Sequence, residues 1–261
     1  MRFVRYQVDS AVSYGILEGE EIEVITGNPL GSYARTSQRR PLDSVKLLIP
    51  FEPGVFYAAG LNYADHVKVV DPILGITEAD LPTSANIGYR ANNALIAHDE
   101  PIIKPRDSTE RFQYEGELVV VIGKRAKNLT EDEALSCVFG YTIGNDVSER
   151  TWQAGDSTMW RAKNSDTFKP MGPWIETDIG LEGMQTVVRL NGRVASDFPT
   201  NNMIFGVAHY ISAMTRYLTL YPGDMIWMGT DGATENMKPG DVVEVEISGI
   251  GTLRNPVVAE E

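Results

Sequence analysis

The amino-acid sequence predicts a mainly β protein with a few helices, which is the α+β class. Short segments with alternating apolar and polar residues recur along the chain, and such alternation is typical of strands. Only one or two segments have apolar residues at helical spacing. At about 150 residues per domain, the 261 residues predict one large domain with at most a small second one.

The composition is that of a soluble globular protein, with 43% apolar and 23% charged residues. The 36 acidic residues outnumber the 23 basic residues and give a net charge of −13, which disfavours nucleic acids and anionic membranes as partners. The single cysteine, Cys137, is interpreted as a core residue. Because neither a signal peptide nor a membrane-length apolar run is found, the sequence predicts a cytoplasmic protein.

Residues 1–50 and residues 51–261 are predicted to form two domains. Residues 1–50 alternate in short pieces and end in the polar stretch TSQRRPLDS, which predicts a small β-rich domain. The main domain is predicted to begin after Pro50, with an apolar strand in FEPGVFYAAGLNYADH. Residues 67–93 lack a regular period, and so long a connection in a compact domain is typically a lid or disordered.

The other elements of the main domain follow in chain order. YEGELVVVIGK predicts a buried strand, and FGYTIGNDVSE predicts a second one. Between them, Thr130 and Glu133 have the spacing of a capping box, which predicts a helix over EDEALSCV. Residues 203–218 predict an amphipathic helix. Two Pro-Gly-Asp turns, in YPGDMIWMGT and KPGDVVEVEISGIG, each lead into a further strand.

Three carboxylates beside predicted strands are candidates for a metal site. Glu115 and Glu117 are two residues apart in a strand, so their side chains share one face and repel each other. Asp146 follows the next strand and could complete the site. Hard oxygen donors favour Mg²⁺ or Mn²⁺, with Ca²⁺ as a further option. The alternative is that both glutamates face water from a half-buried strand.

Two further side chains could take part in catalysis. His66, at the end of GLNYADH, has the pKa range of an acid or base near neutral pH, although a lone histidine is more often structural. Lys163, in RAKNSDTF, could stabilise a developing negative charge, or it could simply face solvent. The nucleophile-elbow, phosphate-loop and dinucleotide motifs are absent from the sequence, which disfavours those functions.

Five segments, read in order over residues 56–255, resemble the fumarylacetoacetate hydrolase superfamily. They are GLNYADH, YEGELVVVIGK, GYTIGNDVSERTWQ, RAKNSDTFKPMGPW and PGDMIWMGT. Within that superfamily they look like the group of acylpyruvases, 2-hydroxyhepta-2,4-diene-1,7-dioate isomerases and decarboxylases. The resemblance implies a mixed β-roll fold, a homodimer and a Mg²⁺ or Mn²⁺ ion.

The resemblance also implies a role for each matching residue. The implied metal ligands are Glu115, Glu117 and Asp146. The implied catalytic residues are His66 and Lys163. The implied substrate-binding residues are Tyr63, Arg90, Gln153, Gly229 and Thr230.

One departure from the family pattern bears on the reaction. Members that hydrolyse carbon–carbon bonds commonly have His-x-x-Glu, whose glutamate helps to activate water, whereas the fourth position here is Val69. The carboxylates of Asp71, Glu78 and Asp80 lie nearby in sequence. The implied function is enolate chemistry on a small β-keto acid or 1,3-dicarbonyl compound, with carbon–carbon cleavage by hydrolysis or decarboxylation. Keto–enol isomerisation is the alternative, because it needs no activated water, and a metal-binding module without turnover is the third.

Overall fold

The computed structural model describes residues 1–67 and 81–261. Four residues discussed above, Val69, Asp71, Glu78 and Asp80, therefore lie outside the described residues. Within the described part of the expected lid, residues 87–89 form a strand where the sequence predicted no regular structure. Three residues are too few to reveal a period, which is why the pattern missed this strand.

The described residues form nineteen strands. The first ten are β1 (Arg2–Val8), β2 (Ala11–Glu18), β3 (Glu21–Gly27), β4 (Tyr33–Pro41), β5 (Lys46–Leu47), β6 (Phe56–Ala59), β7 (Ile87–Tyr89), β8 (Leu95–Ile96), β9 (Ile102–Lys104) and β10 (Phe112–Gln113). The others are β11 (Gly116–Ile122), β12 (Val138–Asn145), β13 (Ser148–Glu149), β14 (Lys169–Glu176), β15 (Gln185–Leu190), β16 (Arg193–Pro199), β17 (Met225–Trp227), β18 (Val242–Ile247) and β19 (Gly251–Ala259). The helices are α1 (Glu131–Ala134), α2 (Arg150–Gln153) and α3 (Val207–Tyr217), and residues 64–67 form a helical turn.

The strands form two large sheets and a small ribbon. The main sheet of twelve strands has the order β4-β3-β2-β1-β14-β12-β11-β17-β6-β7, with β5 paired to β1 and β8 paired to β14. The second sheet has the order β16-β15-β18-β19-β9, and β10 pairs with β13. Two pairs in the main sheet, β17 with β6 and β14 with β8, are parallel, and its other pairs are antiparallel. The mixed sheets and few helices confirm the predicted fold class.

The strands of residues 1–50 continue the main sheet. Strand β1 pairs with β14, with Arg2 opposite Glu176 and Phe3 opposite Ile175. Strands β2, β3 and β4 follow outward from β1 as antiparallel neighbours. The predicted β-rich segment is therefore joined to the rest of the chain by backbone hydrogen bonds.

Strand β11 lies between two apolar clusters, which explains its uninterrupted apolar sequence. Leu118 and Val120 belong to a cluster that includes buried residues of the second sheet. Val119 and Val121 belong to a cluster that includes Trp227 of β17. All residues of β11 are buried. Because successive side chains point to opposite faces, this packing fixes the orientation of the residues at the start of the strand.

A glycine in β12 allows the close packing of the same region. A Cβ atom on Gly144 would lie 2.5 Å from the ring of Trp227. The ring of Trp227 also packs against Phe56 of β6, with the ring centroids 4.8 Å apart. The indole therefore fills the space beside β12 that any larger residue at position 144 would occupy.

Both predicted helices are present, with shorter α-helical parts than the sequence patterns indicated. The capping box of Thr130 and Glu133 opens α1, and a 3₁₀ turn at residues 135–137 completes the segment. Helix α3 begins at residue 207 instead of 203, because the backbone amides of Ile204 and Phe205 donate to the carbonyl and side-chain oxygens of Asn62. Among the helices in residues 1–67 and 81–261, none is long and apolar enough to cross a membrane.

Candidate active site

The register of β11 and β12 brings the three predicted metal ligands together. Glu115 precedes β11, Glu117 lies within it, and Asp146 follows β12. Because the strands are antiparallel and Gly116 pairs with Asn145, the end of β12 meets the start of β11. The Asp146 amide donates to the Glu115 carbonyl at 2.8 Å, and the Glu115 amide donates to the Asn145 side-chain oxygen at 2.9 Å. These bonds fix both chain segments at the site.

The three carboxylates form one buried cluster. Oxygen atoms of Glu115, Glu117 and Asp146 lie within 4.8 Å of one another. The exposed fractions are only 2%, 2% and 1%. The alternative interpretation, in which the two glutamates face water, is therefore wrong for this chain.

Two cations neutralise Glu115. The Lys163 Nζ lies 2.6 Å from its Oε2, and the Arg150 Nη2 contacts its Oε1. Burial raises the pKa of Glu115, but the charges of Arg150 and Lys163 outweigh this effect and lower the pKa to about 2. Glu115 is therefore ionised at neutral pH.

Asp146 contacts three cations. Lys169 Nζ lies 2.6 Å from Oδ1, and Lys163 Nζ lies 2.8 Å from Oδ2. The guanidinium of Arg90 spans both oxygens, with Nε 3.2 Å from Oδ1 and Nη2 2.9 Å from Oδ2. Although burial alone raises it, these neighbouring charges hold the pKa of Asp146 well below its usual value. Burial lowers the pKa of Lys169 to about 7, although Asp146 opposes this effect.

Glu117 differs from its two neighbours because no ion pair among the described residues involves it. Its Oε2 accepts a hydrogen bond from the Gly229 amide at 2.8 Å. Burial raises the pKa of Glu117 to about 8, together with the negative charges of Asp146 and Glu115. Glu117 is thus a buried carboxylate without an ion-pair partner in residues 1–67 and 81–261, although the more distant charge of Lys163 partly opposes the rise in its pKa.

The cluster fits a divalent cation. Three converging carboxylates supply hard oxygen donors, which suit Mg²⁺, Mn²⁺ or Ca²⁺ better than softer metals. A divalent cation at this position would also give Glu117 the positive charge that the described side chains do not provide. The buried Glu-Glu-Asp set is therefore a candidate metal centre.

His66 lies beside this cluster, in the helical turn of residues 64–67. Its Nε2 is 3.7 Å from Oε1 of Glu115, and its Nδ1 has no hydrogen-bond partner among the described residues. Burial lowers the pKa of His66 to about 4, although Glu115 opposes this effect. The imidazole is therefore neutral at pH 7. The turn at Gly232, where φ is +103°, packs directly against the imidazole and leaves no room for a Cβ atom.

A cavity of about 660 Å³ opens over the carboxylate cluster. It is lined by nine of the ten predicted site residues, namely His66, Arg90, Glu115, Glu117, Asp146, Gln153, Lys163, Gly229 and Thr230. The volume is in the range of small-molecule sites. The structure therefore brings together residues that are as much as 164 positions apart in the chain.

Tyr63 is the predicted site residue that does not line this cavity. It is only 1% exposed, and its hydroxyl donates to the Thr200 carbonyl at 2.5 Å. Its ring packs edge-to-face on Phe198. The tyrosine side chain therefore lies in the core behind the cavity wall, with its hydroxyl already bonded.

Sequence reasoning missed two cations of the site, Arg150 and Lys169. Arg150 is 3% exposed, and its Nη1 donates to the Gln153 side-chain oxygen at 3.1 Å. Lys169 is completely buried and also donates to the carbonyls of Val147 and Phe168. One indirect signal was present, because three predicted carboxylates close together require positive charge nearby. Neither Arg150 nor Lys169 was singled out, because charged residues at strand ends are usually exposed.

Comparison with known proteins agrees with this architecture. Residues 55–258 match the model of the fumarylacetoacetate (FAA) hydrolase C-terminal family. The chain belongs to the FAA hydrolase family. Residues 1–50 of this FAA hydrolase-family chain match a second model, the Rv2993c-like N-terminal family.

Related FAA hydrolase-family proteins have several activities. The crystal structure of 5-carboxymethyl-2-hydroxymuconate delta-isomerase from Mycobacterium smegmatis is 34% identical, covers 100% of both chains and has a TM-score of 0.89. A 2,4-didehydro-3-deoxy-L-rhamnonate hydrolase from Sphingomonas sp. is 39% identical over 78% of this chain and 73% of its own. Oxaloacetate tautomerase FAHD2A from Bos taurus is 34% identical over 84% of this chain and 71% of its own. The prediction of an FAA hydrolase-family enzyme is confirmed.

Proposed function

We propose that this chain is a divalent-metal-dependent enzyme that forms an enolate from a β-keto acid, another 1,3-dicarbonyl compound or a 2-oxo acid. The observation that carries the proposal is the buried carboxylate cluster, in which Glu117 has a pKa raised to about 8 by burial and by its neighbours' charges. A divalent ion held by Glu115, Glu117 and Asp146 would supply Lewis-acid stabilisation of an enolate oxygen. We propose Mg²⁺ or Mn²⁺ as that ion.

The charges around the cavity suit an anionic substrate. Four cationic side chains, Arg90, Arg150, Lys163 and Lys169, surround the three carboxylates. The side chains around the cavity therefore carry an excess of positive charge, although the whole chain has a net charge of −13. The ammonium group of Lys163 lines the cavity and can donate to an oxygen that gains negative charge. Gln153 and Thr230 offer further hydrogen bonds from the cavity wall.

His66 supports proton transfer at carbon as the first candidate reaction. The imidazole lies on the cavity wall beside the carboxylate cluster, where it can take a proton from the carbon next to a carbonyl and return it elsewhere. Hydrolysis further requires an oriented base that activates water, and this chain has Val69 at the position where hydrolytic family members commonly have that glutamate. We therefore propose keto–enol tautomerisation or isomerisation of an oxo acid.

Carbon–carbon cleavage is the second candidate, in the form of decarboxylation. Loss of CO₂ from a β-keto acid needs stabilisation of the enolate but no base. It would depend on the metal ion and on Lys163, which lines the cavity and whose Nζ bridges Glu115 and Asp146, and not on a ring base. The same ammonium would stabilise the enolate oxygen in either reaction.

One substrate separates these reactions. Oxaloacetate, the compound in the name of the bovine relative, is incubated with the protein and Mg²⁺ or Mn²⁺ in ¹⁸O-labelled water. Tautomerisation changes the enol absorbance without loss of CO₂, decarboxylation gives pyruvate and CO₂, and hydrolysis gives oxalate and acetate with ¹⁸O in one carboxylate. Glu117→Gln is expected to abolish the metal-dependent reaction, and Glu182→Gln, at an exposed position, is expected to retain it.

Metal binding without turnover of any oxo acid would contradict the proposal and favour a binding module.

We also propose that the functional unit is a homodimer. Light scattering during gel filtration tests this, since a dimer has twice the mass of one chain. A cytoplasmic location stays a prediction.

A further inference from the structure

Every lone-pair position of Asp146 is already used by a cation. A carboxylate offers about four such positions. Lys169 and Arg90 Nε approach Oδ1 at 2.6 and 3.2 Å, and Lys163 and Arg90 Nη2 approach Oδ2 at 2.8 and 2.9 Å. A divalent ion that uses Asp146 as a ligand must therefore displace at least one of these contacts.

Lys169 and Lys163 are held at their positions by other groups. Lys169 is completely buried and donates to two backbone carbonyls at 3.0 and 2.9 Å. Lys163 also pairs with Glu115 at 2.6 Å, so it bridges two of the carboxylates. Moving Lys169 would take its donor from the buried Val147 carbonyl, and moving Lys163 would break ion pairs with two carboxylates at once, both of which are costly.

Arg90 is held less firmly. Beyond Asp146, its described hydrogen bond is from Nη1 to the carbonyl of the adjacent Tyr89, at 3.1 Å. Its side chain lines the carboxylate cavity and also a neighbouring cavity of about 810 Å³. The guanidinium can therefore leave Asp146 without losing a contact to another element and without entering packed core.

We infer that Arg90 and the divalent ion compete for Asp146, and that the guanidinium released by metal binding takes the carboxylate of the substrate. This inference rests on the proposed metal-dependent function. A planar guanidinium binds a substrate carboxylate with the same two-pronged geometry that it uses on Asp146. Arg90 thereby couples the two ligands: metal binding frees the group that binds the anion, and anion binding keeps that group away from the metal ligand.

Two variants of Arg90 test the competition by calorimetric titration with Mn²⁺. Arg90→Lys retains the positive charge but cannot span both oxygens of Asp146, and Arg90→Met removes the charge as well. Competition predicts tighter Mn²⁺ binding by about fivefold or more in both variants. Simple charge repulsion would tighten binding in Arg90→Met alone. Unchanged or weaker Mn²⁺ binding in Arg90→Lys would overturn the inference.

Pyruvate, the smallest 2-oxo acid, tests the second half of the inference. Binding of pyruvate to the Mn²⁺-loaded protein is expected to weaken by about tenfold or more in Arg90→Met. Equal pyruvate affinity in this variant and in the wild type would overturn the assignment of Arg90 to the carboxylate. Thermal unfolding of each variant verifies that it is folded.

Failure of the inference is distinct from failure of the proposed function. If the wild type binds no Mn²⁺, the metal-dependent function is wrong and the inference falls with it. If the wild type binds Mn²⁺ and Glu117→Gln does not, but both Arg90 variants bind it more weakly, the function stands. Arg90 then only holds Asp146 in place.

Discussion

Replacing Glu117 by Gln should stabilise the metal-free protein, and the gain should increase with pH. Glutamine has the same shape, and its side-chain oxygen can still accept the hydrogen bond from the Gly229 amide. It carries no charge, however. The substitution therefore removes the cost of ionising a buried carboxylate beside Glu115 and Asp146.

The size of the effect follows from the pKa of Glu117, which burial and the neighbouring charges raise from 4.5 to about 8. Between these two values the folded state holds a proton that the unfolded state has released. The stability of the wild type therefore falls as the pH rises, at up to about 1.4 kcal/mol per pH unit. From pH 6 to pH 8 the difference between Glu117→Gln and the wild type should grow by up to about 2.7 kcal/mol.

Denaturant unfolding in the presence of a chelator at pH 6, 7 and 8 measures this difference. Glu182→Gln, an exposed substitution of the same kind, should follow the wild type at each pH. Adding Mn²⁺ should reverse the order at pH 8, because binding stabilises the wild type alone. A Glu117→Gln protein that is less stable than the wild type at pH 8 in chelator would refute the reasoning, since Glu117 would then already be well paired.

Three other substitutions test separate parts of the site. His66→Gln should slow keto–enol proton transfer by about 10² to 10⁴, because the imidazole is the proposed proton acceptor, and should leave Mn²⁺ affinity within about threefold. Equal turnover numbers for this variant and the wild type would contradict that role. Lys163→Met should lower the turnover number by about 10² or more through loss of the cation near the enolate oxygen, and a change confined to KM would contradict this. Gly144→Ala should destabilise the fold by about 1–3 kcal/mol, because its Cβ would overlap the Trp227 ring, and an unchanged unfolding midpoint would contradict that packing.

The mainly β fold and the shared face of Glu115 and Glu117 could be predicted because their signals are local, whereas the roles of His66, Lys163 and the substrate-binding residues were implied by the motif resemblance. Alternation and turn residues mark the strands, and the i, i+2 spacing of Glu115 and Glu117 implies a shared face whatever the rest of the fold. The meeting of these residues with Asp146 also depends on the register of β11 and β12. Predicting that Asp146 meets the two glutamates therefore required the motif resemblance in addition to the spacing of residues along the chain.

Other features depend on tertiary contacts that no local pattern carries. Tyr63 is close in sequence to His66, but its hydroxyl donates to the carbonyl of Thr200, 137 positions away. This hydrogen bond holds the tyrosine side chain away from the cavity. Lys169 follows an apolar residue at the start of a strand, as many exposed lysines do, yet its partner Asp146 makes it a buried cation. The late start of α3 depends on Asn62, which lies far earlier in the chain.

Exchange of the methyl hydrogens of pyruvate in deuterated water tests the central claim most directly, because an enolate must form before deuterium can enter. Pyruvate is incubated with the wild type and with Glu117→Gln, with Mg²⁺ or with a chelator, and its mass is followed over time. The account predicts rapid deuterium uptake only with the wild type and Mg²⁺. Equal uptake in chelator, or uptake no faster than in buffer under all these conditions, would contradict metal-dependent enolate formation.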